Sequence, residues 1–412
     1  MRQAVVIALV LALAPAATAQ TSYELLLKGG HVIDPRNGLD AVRDVAITGG
    51  KIAAVAQNIP ASQAKQTVDV TGLYVAPGFV DIHVHVYTGE KRATYAGGDL
   101  SVWPDGWGPR SCTTTMADAG SSGWRTFEDF KTRVIDRSQT RVVAFLNIVG
   151  LGMREGQLEQ SVADMEVKPT AAMAMKYKGT IIGIKSAHFS GEGWAPYERA
   201  EEVGRMAGIP VMVDFGGNVK AGRTIMDLVT KYFRPGDIYT HMYGGVRGEY
   251  DEAAKGPSAA MVAGRKRGVI FDVGHGGGSF RWDAAWHMIK AGFVPDSIST
   301  DLHTSSMNGG MKTMIETMSR FLAVGQSLPD IIKWSTDNPA KEIQLPELGH
   351  LSVGAGADVA VFRVEKGKFG YVDQNSTALR VDGTERLSCE VTVRNGQVLY
   401  DLNGLTKAAY QP

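Results

Sequence analysis

Eight short apolar runs recur between residues 78 and 301, and they end in turn at His85, Ala117, Asn147, Lys185, Asp214, His241, His275 and Asp301. Their spacing averages about 31 residues, the length of one strand-plus-helix unit. Stretches with helical periodicity fill the intervals, for example residues 197–206, 224–233 and 282–290. Eight such units predict an α/β fold, a (β/α)8 TIM barrel. A doubly wound open sheet is the alternative, but no Gly-x-Gly-x-x-Gly fingerprint follows the first run.

The flanks read differently. Residues 24–30 and 45–55 are alternating apolar runs broken by Gly-Gly pairs, and residues 357–362 and 390–400 repeat the pattern around Asn395-Gly396. These are hairpin signals. Two β-rich ends around a βα middle predict a small β-sandwich domain built from both termini, residues 20–75 and 346–412, with the barrel over 76–345. The first 19 residues read as a cleaved secretory signal: Arg2, an apolar run from Ala4 to Leu13, and a small-x-small end at Ala17-Thr18-Ala19. The run is too short to span a bilayer. The expectation is an exported, periplasmic protein with a mature start near Gln20 and no membrane association after cleavage.

Composition narrows the partners. Lys+Arg and Asp+Glu are both 43 and the formal net charge is zero, without blocks of one sign. That argues against nucleic acid and for a small-molecule substrate; self-association into a homo-oligomer stays open. The two cysteines, Cys112 and Cys389, are too few for a disulfide framework or a thiolate zinc cluster. A single disulfide is open in an exported chain, and Cys112, in an apolar run, reads as a buried free thiol.

The chemistry sits at the strand ends, which converge on one face of a barrel. Reading only those ends gives His83, His85, Lys185, Asp214, His241, His275 and Asp301, the inventory of a metal site. His83 and His85 are two apart, so on a strand both point into the mouth and Val84 points outward. Lys185 closes an apolar strand, and a buried lysine is costly unless something offsets its charge. A salt bridge, a lowered amine pKa for Schiff-base chemistry, and carboxylation by carbon dioxide to an anionic ligand all remain open on the residues alone. The neighbouring nitrogen and oxygen ligands favour the last, because two cations about 3.5–4 Å apart need a bridging anion. His188 and His303 also lie within about three residues of strand ends, leaving only His31, His287 and His350 elsewhere.

Residues 76–85 (APGFVDIHVH), Lys185, Thr240-His241 and residues 299–303 (STDLH), in that order, resemble the amidohydrolase superfamily over essentially the whole mature chain. Residues 113–123, 234–241 and 271–280 resemble the deacetylase group within it, formerly labelled as dihydroorotases. The resemblance implies a metal-dependent deacetylase or esterase with two zinc ions. His83, His85 and Asp301 would hold one ion, and carboxylated Lys185 would bridge to a second that His241 also holds. Asp214 stands where relatives usually carry a histidine; it can ligate through oxygen, but it adds negative charge and favours a harder ion.

A metal-bound hydroxide would then attack the acyl group of a small hydroxy- or amino-acid derivative, with Asp301 as the catalytic proton acceptor and donor. His275, beside Gly276-Gly277-Gly278, together with His303 and Tyr243, are the candidate substrate-binding residues. The loop over residues 87–110, with Lys91, Arg92, Trp103, Trp107 and Arg110, is a candidate lid. Two other readings compete: a cyclic amidohydrolase or dipeptidase of the dihydroorotase, hydantoinase or imidodipeptidase kind, and a catalytically inactive scaffold.

Overall fold

Strands first: the computed structural model describes residues 22–87, 101–153, 159–216 and 222–411, and the apolar runs of the middle form one parallel sheet. In order round the sheet these are β6 (Phe79–Val84), β7 (Thr113–Gly123), β8 (Arg141–Asn147), β9 (Ile181–Ala187), β10 (Val211–Asp214), β11 (Ile238–Tyr239) and β14 (Ile270–Phe271). The eighth run, residues 297–301, is extended but joins by isolated parallel bridges, Asp272 to Ser297 on one side and Val84 to Leu302 on the other. It closes the ring between β14 and β6, where Asp301 donates its backbone N–H to the His83 carbonyl and His85 donates to that of Leu302. The later strands are shorter than expected because His241 (φ 65°), Gly274, Gly276 and Asp301 (φ 50°) adopt left-handed backbone, which cannot continue a pleat.

Two apolar clusters flank the parallel sheet, and irregularities in the pairing of β6 with β7 and of β8 with β9 put residues of equal parity, such as Ile82 and Val84, into different clusters. Val80, Ile82, Ala117, Ala119, Val143, Phe145, Ile182, Met212 and Ile238 point inward and plug the barrel. Val84, Met116, Leu146, Ile184, Val213 and Phe271 point outward, into the larger core shared with the surrounding helices. Helices Ala195–Ala207 and Trp282–Lys290 fall where periodicity puts them, while the stretch after Thr224 starts as a short helix, Ile225–Asp227, and widens into π turns over Leu228–Tyr232.

Both chain ends build the second unit. β1 (Tyr23–Asp34), β2 (Leu39–Thr48), β3 (Lys51–Ala56), β4 (Ala64–Asp69) and β5 (Tyr74–Pro77) join β15 (Val359–Val372), β16 (Arg380–Arg394) and β17 (Gln397–Asp401) in one eight-stranded sheet. The ends meet where β5 pairs antiparallel with β15, Val75 opposite Val361. The sheet wraps a core of its own, with Leu27, Val45, Val68 and Val75 packed with Val359, Val361, Val391 and Val393. β12 (Tyr250–Asp251) and β13 (Gly256–Pro257) form a separate two-stranded ribbon.

Cys112 and Cys389 are joined in a disulfide across 277 residues, correcting the free-thiol expectation. Cys112 lies at the turn before β7 and Cys389 on β16, so the bond ties the end sheet to the barrel. The two meet only once the units dock, and nothing local to either announces the pair. Among the described residues, no helix is long and apolar enough to cross a membrane.

Candidate metal centre

The strand ends converge on a cavity of about 250 Å³ lined by His83, His85, Met153, Lys185, His188, Asp214, His241, Asp301 and His303. All six predicted ligands are therefore in one wall. A larger cavity, about 560 Å³, lies between the loop near Asn308 and the β15–β16 hairpin, but its lining, which includes Lys312, Glu316, Arg320, Lys368, Tyr371 and Arg386, holds no histidine. Chemistry rather than size picks out the site.

Hydrogen bonds settle which nitrogen each imidazole presents. Thr240, Ser299 and Ser297 all direct hydroxyls to the Asp272 carboxylate, at 2.7, 2.7 and 3.0 Å. Thr240 thereby spends its only proton, so it accepts from His83 Nδ1 at 2.9 Å. His241 Nδ1 donates to the Gly274 carbonyl at 2.6 Å. His85 Nδ1 lies 3.0 Å from Ser121 Oγ, and Ser121 in turn hydrogen-bonds Asp118. Each ring has its Nδ1 proton tied back, leaving the Nε2 lone pair for the cavity, which is how metal-binding histidines are oriented.

The donor set fits a divalent ion. Ligand atoms of His83, His85 and Asp301 lie within 4.8 Å of one another. Asp301 Oδ1 is 3.1 Å from His85 Nε2 and 3.6 Å from His83 Nε2, close to the roughly 3.3 Å that separates two ligands placed 2.0–2.1 Å from a tetrahedral ion. Burial opposes the charge on Asp301, but His83, the hydrogen-bonded His85 and His303 outweigh it and hold the carboxyl well below the usual range. Burial, with Lys185 nearby, pushes the His83 imidazole well down, toward its neutral, ligating form.

Lys185 is fully buried, with Nζ 3.1 Å from His83 Nε2 and 3.7 Å from Met212 Sδ. Among the described residues no carboxylate lies within ion-pair distance of it, and burial lowers its amine pKa against the pull of Asp214 and Asp301. Glycine makes the room: a Cβ on Gly120 would come 2.7 Å from the Lys185 side chain, and one on Gly276 would come 2.3 Å from Asp301 Oδ2.

Asp214 Oδ2 lies 3.3 Å from His241 Nε2 and 2.8 Å from His188 Nε2, while Arg247 approaches Oδ1 at 3.3 Å. Burial would raise this carboxyl, but His241, His188 and Arg247 draw it well below the usual carboxylate range. His188 and Arg247 flank Asp214, and Glu159 pairs with His188; none of the three was among the predicted ligands or substrate-binding residues. His188 lies three residues past Lys185, and its position is the one signal the sequence carried; Glu159 and Arg247 sit in loops with none.

Two of the candidate substrate-binding residues do not line this cavity. Tyr243 is fully buried between Phe280 and Phe321, its hydroxyl donating to the Phe293 carbonyl 3.1 Å away, so it packs the barrel rather than lining the cavity. His275 is also fully buried, stacked on Phe280 at 4.5 Å with Nδ1 donating to the Gly276 carbonyl and Nε2 without a hydrogen-bond partner among the described residues, and it is not part of the cavity lining. His303 does line the cavity, its Nε2 3.8 Å from Asp301 Oδ2. Of the candidate lid, Lys91 and Arg92 lie outside the described residues, and Trp103, Trp107 and Arg110 are not part of the cavity lining.

A barrel whose mouth holds His-x-His, a buried lysine, a further histidine and a closing aspartate defines a metal-dependent hydrolase of amidohydrolase fold. Residues 281–399 match the Amidohydrolase family. A deacetylase from Agrobacterium fabrum is 32% identical over 349 residues, covering 82% of each chain. Another from Enterococcus faecalis is 30% identical over 387 residues, 92% of this chain and 99% of that one. A crystal structure of an adenine deaminase superposes with a TM-score of 0.82 at 28% identity, over 92% of this chain and 100% of the other. The chain belongs to the amidohydrolase family and is a hydrolase.

Proposed function

We propose that the protein is a deacetylase or esterase that cleaves the acyl ester or amide of a small hydroxy- or amino-acid derivative, using two zinc ions and a carboxylated Lys185. The observation that carries this reading is the convergence of three Nε2 lone pairs and Asp301 beside a buried lysine that has no carboxylate within ion-pair distance among the described residues. The names of the curated relatives supply the acyl chemistry. A bound divalent ion contributes a Lewis acid for the acyl carbonyl and lowers the pKa of water toward about 7.

The residues of this chain divide the remaining work. His83, His85 and Asp301 Oδ1 would hold the first ion. Reaction of neutral Lys185 Nζ with carbon dioxide forms an N–C bond and releases a proton, turning an unpaired buried amine into an anion with two oxygens. Asp214 and His241 would take the second ion. Asp301 Oδ2 faces His303 and the Gly276 backbone rather than His83 or His85, so that oxygen can accept the proton of the attacking water and return it to the leaving group. A cavity of about 250 Å³ suits a small substrate, with His303 on its wall. The reading includes export to the periplasm, supported by the signal-like leader and by a disulfide of the kind that persists in oxidising compartments.

The test is acetate release from a panel of acetylated hydroxy and amino acids, with metal content measured in bicarbonate buffer for the wild type and Lys185→Ala. The expected result is acetate release by the wild type and loss of most activity and bound metal in the variant. Turnover of cyclic imides or dipeptides with no acetate from any acyl substrate would overturn the substrate class. Full activity in Lys185→Ala would remove the carboxylated lysine. Less than one equivalent of metal with no turnover would favour the scaffold reading.

A further inference from the structure

β10 ends in Asp214, a carboxylate, so His241 is left as the one imidazole beside it from the strand ends of that side of the mouth. We propose that His188, from the loop after β9, supplies the missing imidazole, so that His188, Asp214 and His241 form the second metal subsite of this chain. The proposal rests on the hydrolase reading above and names a ligand that reading leaves unassigned.

Three observations carry it. The first is distance: Asp214 Oδ2 is shared by His241 Nε2 at 3.3 Å and His188 Nε2 at 2.8 Å, spacings near the roughly 3.3 Å edge of a tetrahedral site with 2.0–2.1 Å ligand bonds. Arg247 lies against the other oxygen, Oδ1, which makes no hydrogen bond of its own, so Oδ2 is the oxygen offered to the cavity.

The second is the support behind the ring. His188 Nδ1 donates to Glu159 Oε2 at 2.8 Å, and Glu159 is only 2% exposed. Burying a carboxylate to orient an imidazole whose other nitrogen faces a cavity is the carboxylate–histidine–metal arrangement. A simple ion pair with Asp214 would not need that second carboxylate.

The third is backbone. His188 has φ 54°, a conformation shared with His241 (65°) and Asp301 (50°), so three of the ten non-glycine residues with positive φ among the described residues are in this one cavity. Such strain costs about 1–3 kcal/mol per residue and persists where the surrounding structure enforces it. Here it turns all three side chains inward.

Among the described residues only His83, His85 and Asp301 have their ligand atoms mutually within 4.8 Å. The second trio is organised around Asp214 instead, each imidazole meeting Asp214 Oδ2 rather than the other, and the His188 side chain is 49% exposed. The second ion is therefore held more weakly than the first.

The full chain, purified from zinc-supplemented, bicarbonate-containing medium and desalted, is assayed for zinc per protein and for the rate of zinc release to a chromophoric chelator. The wild type is expected to carry two equivalents with biphasic release. His188→Ala keeps one equivalent and only the slow phase, with an unchanged circular-dichroism spectrum. Glu159→Gln retains the fast phase but weakens that ion about 10- to 100-fold. Two equivalents and a wild-type fast phase in His188→Ala would overturn the proposal, as would a wild type that carries a single equivalent. The single-equivalent result leaves the hydrolase reading standing; a wild type with no metal and no acyl hydrolysis removes both.

Discussion

Thr240→Val tests whether the imidazole tautomers were read correctly. Valine keeps the shape of threonine but loses two buried hydrogen bonds, the 2.7 Å donation to Asp272 and the 2.9 Å acceptance from His83 Nδ1. Asp272 retains Ser299 and Ser297, so the cost to folding is that of one exposed partner group, about 1–3 kcal/mol. The cost to the metal is separate. Without Thr240 nothing holds the proton on Nδ1, and the imidazole no longer presents Nε2 in a fixed direction. Loss of such an orienting partner typically weakens metal binding 10- to 100-fold, about 1.4–2.8 kcal/mol at 1.4 kcal/mol per decade. Competition against a chromophoric chelator measures it directly. Thr240→Ser, which keeps the hydroxyl, should restore wild-type affinity. An unchanged dissociation constant in the folded Val variant, or failure of Ser to rescue, would refute the hydrogen-bond argument for His83.

Two further outcomes follow from the frame of the protein. Replacing both Cys112 and Cys389 with alanine frees a 277-residue loop, for which the chain-entropy relation puts the ceiling of destabilisation at about 5–6 kcal/mol, with 2–4 more usual; the urea midpoint should fall, and an unchanged midpoint would mean that packing alone holds the end sheet to the barrel. Asp44 accepts backbone N–H bonds from Gly29 and Ile59 and pairs with Lys28, which together outweigh burial and lower its pKa. Because the folded pKa is depressed, its stabilisation is present above the unfolded value of about 3.9 and is lost as pH falls through the folded one. Asp44→Asn should therefore lower stability by about 1–2 kcal/mol at pH 7 and by much less at pH 3, as read by urea melts; an equal loss at both would place the effect in packing.

The repeat length alone predicted the barrel, and the β-rich flanks predicted a unit assembled from both ends, because alternation and turn dipeptides are local consequences of strand geometry. His83 and His85 were legible for the same reason: period two on a strand puts both in the mouth. Lys185, His241 and Asp301 were legible as polar ends of apolar runs. Tyr243 and His275 looked equivalent by that rule, yet Phe280 packs against both and the Phe293 carbonyl takes the tyrosine hydroxyl, so they serve the barrel.

What only tertiary structure decided is everything that depends on partners distant in the chain. Which nitrogen His83 presents is set by Thr240 and Asp272, 157 and 189 positions away, through a chain of donors with no spare proton. Cys112 finds Cys389 only when two units dock. His188 meets Asp214 because β9 and β10 run side by side, and it meets Glu159 from a segment 29 residues earlier in the chain. Periodicity reports which way a side chain points; what it meets there is decided by how the ring closes.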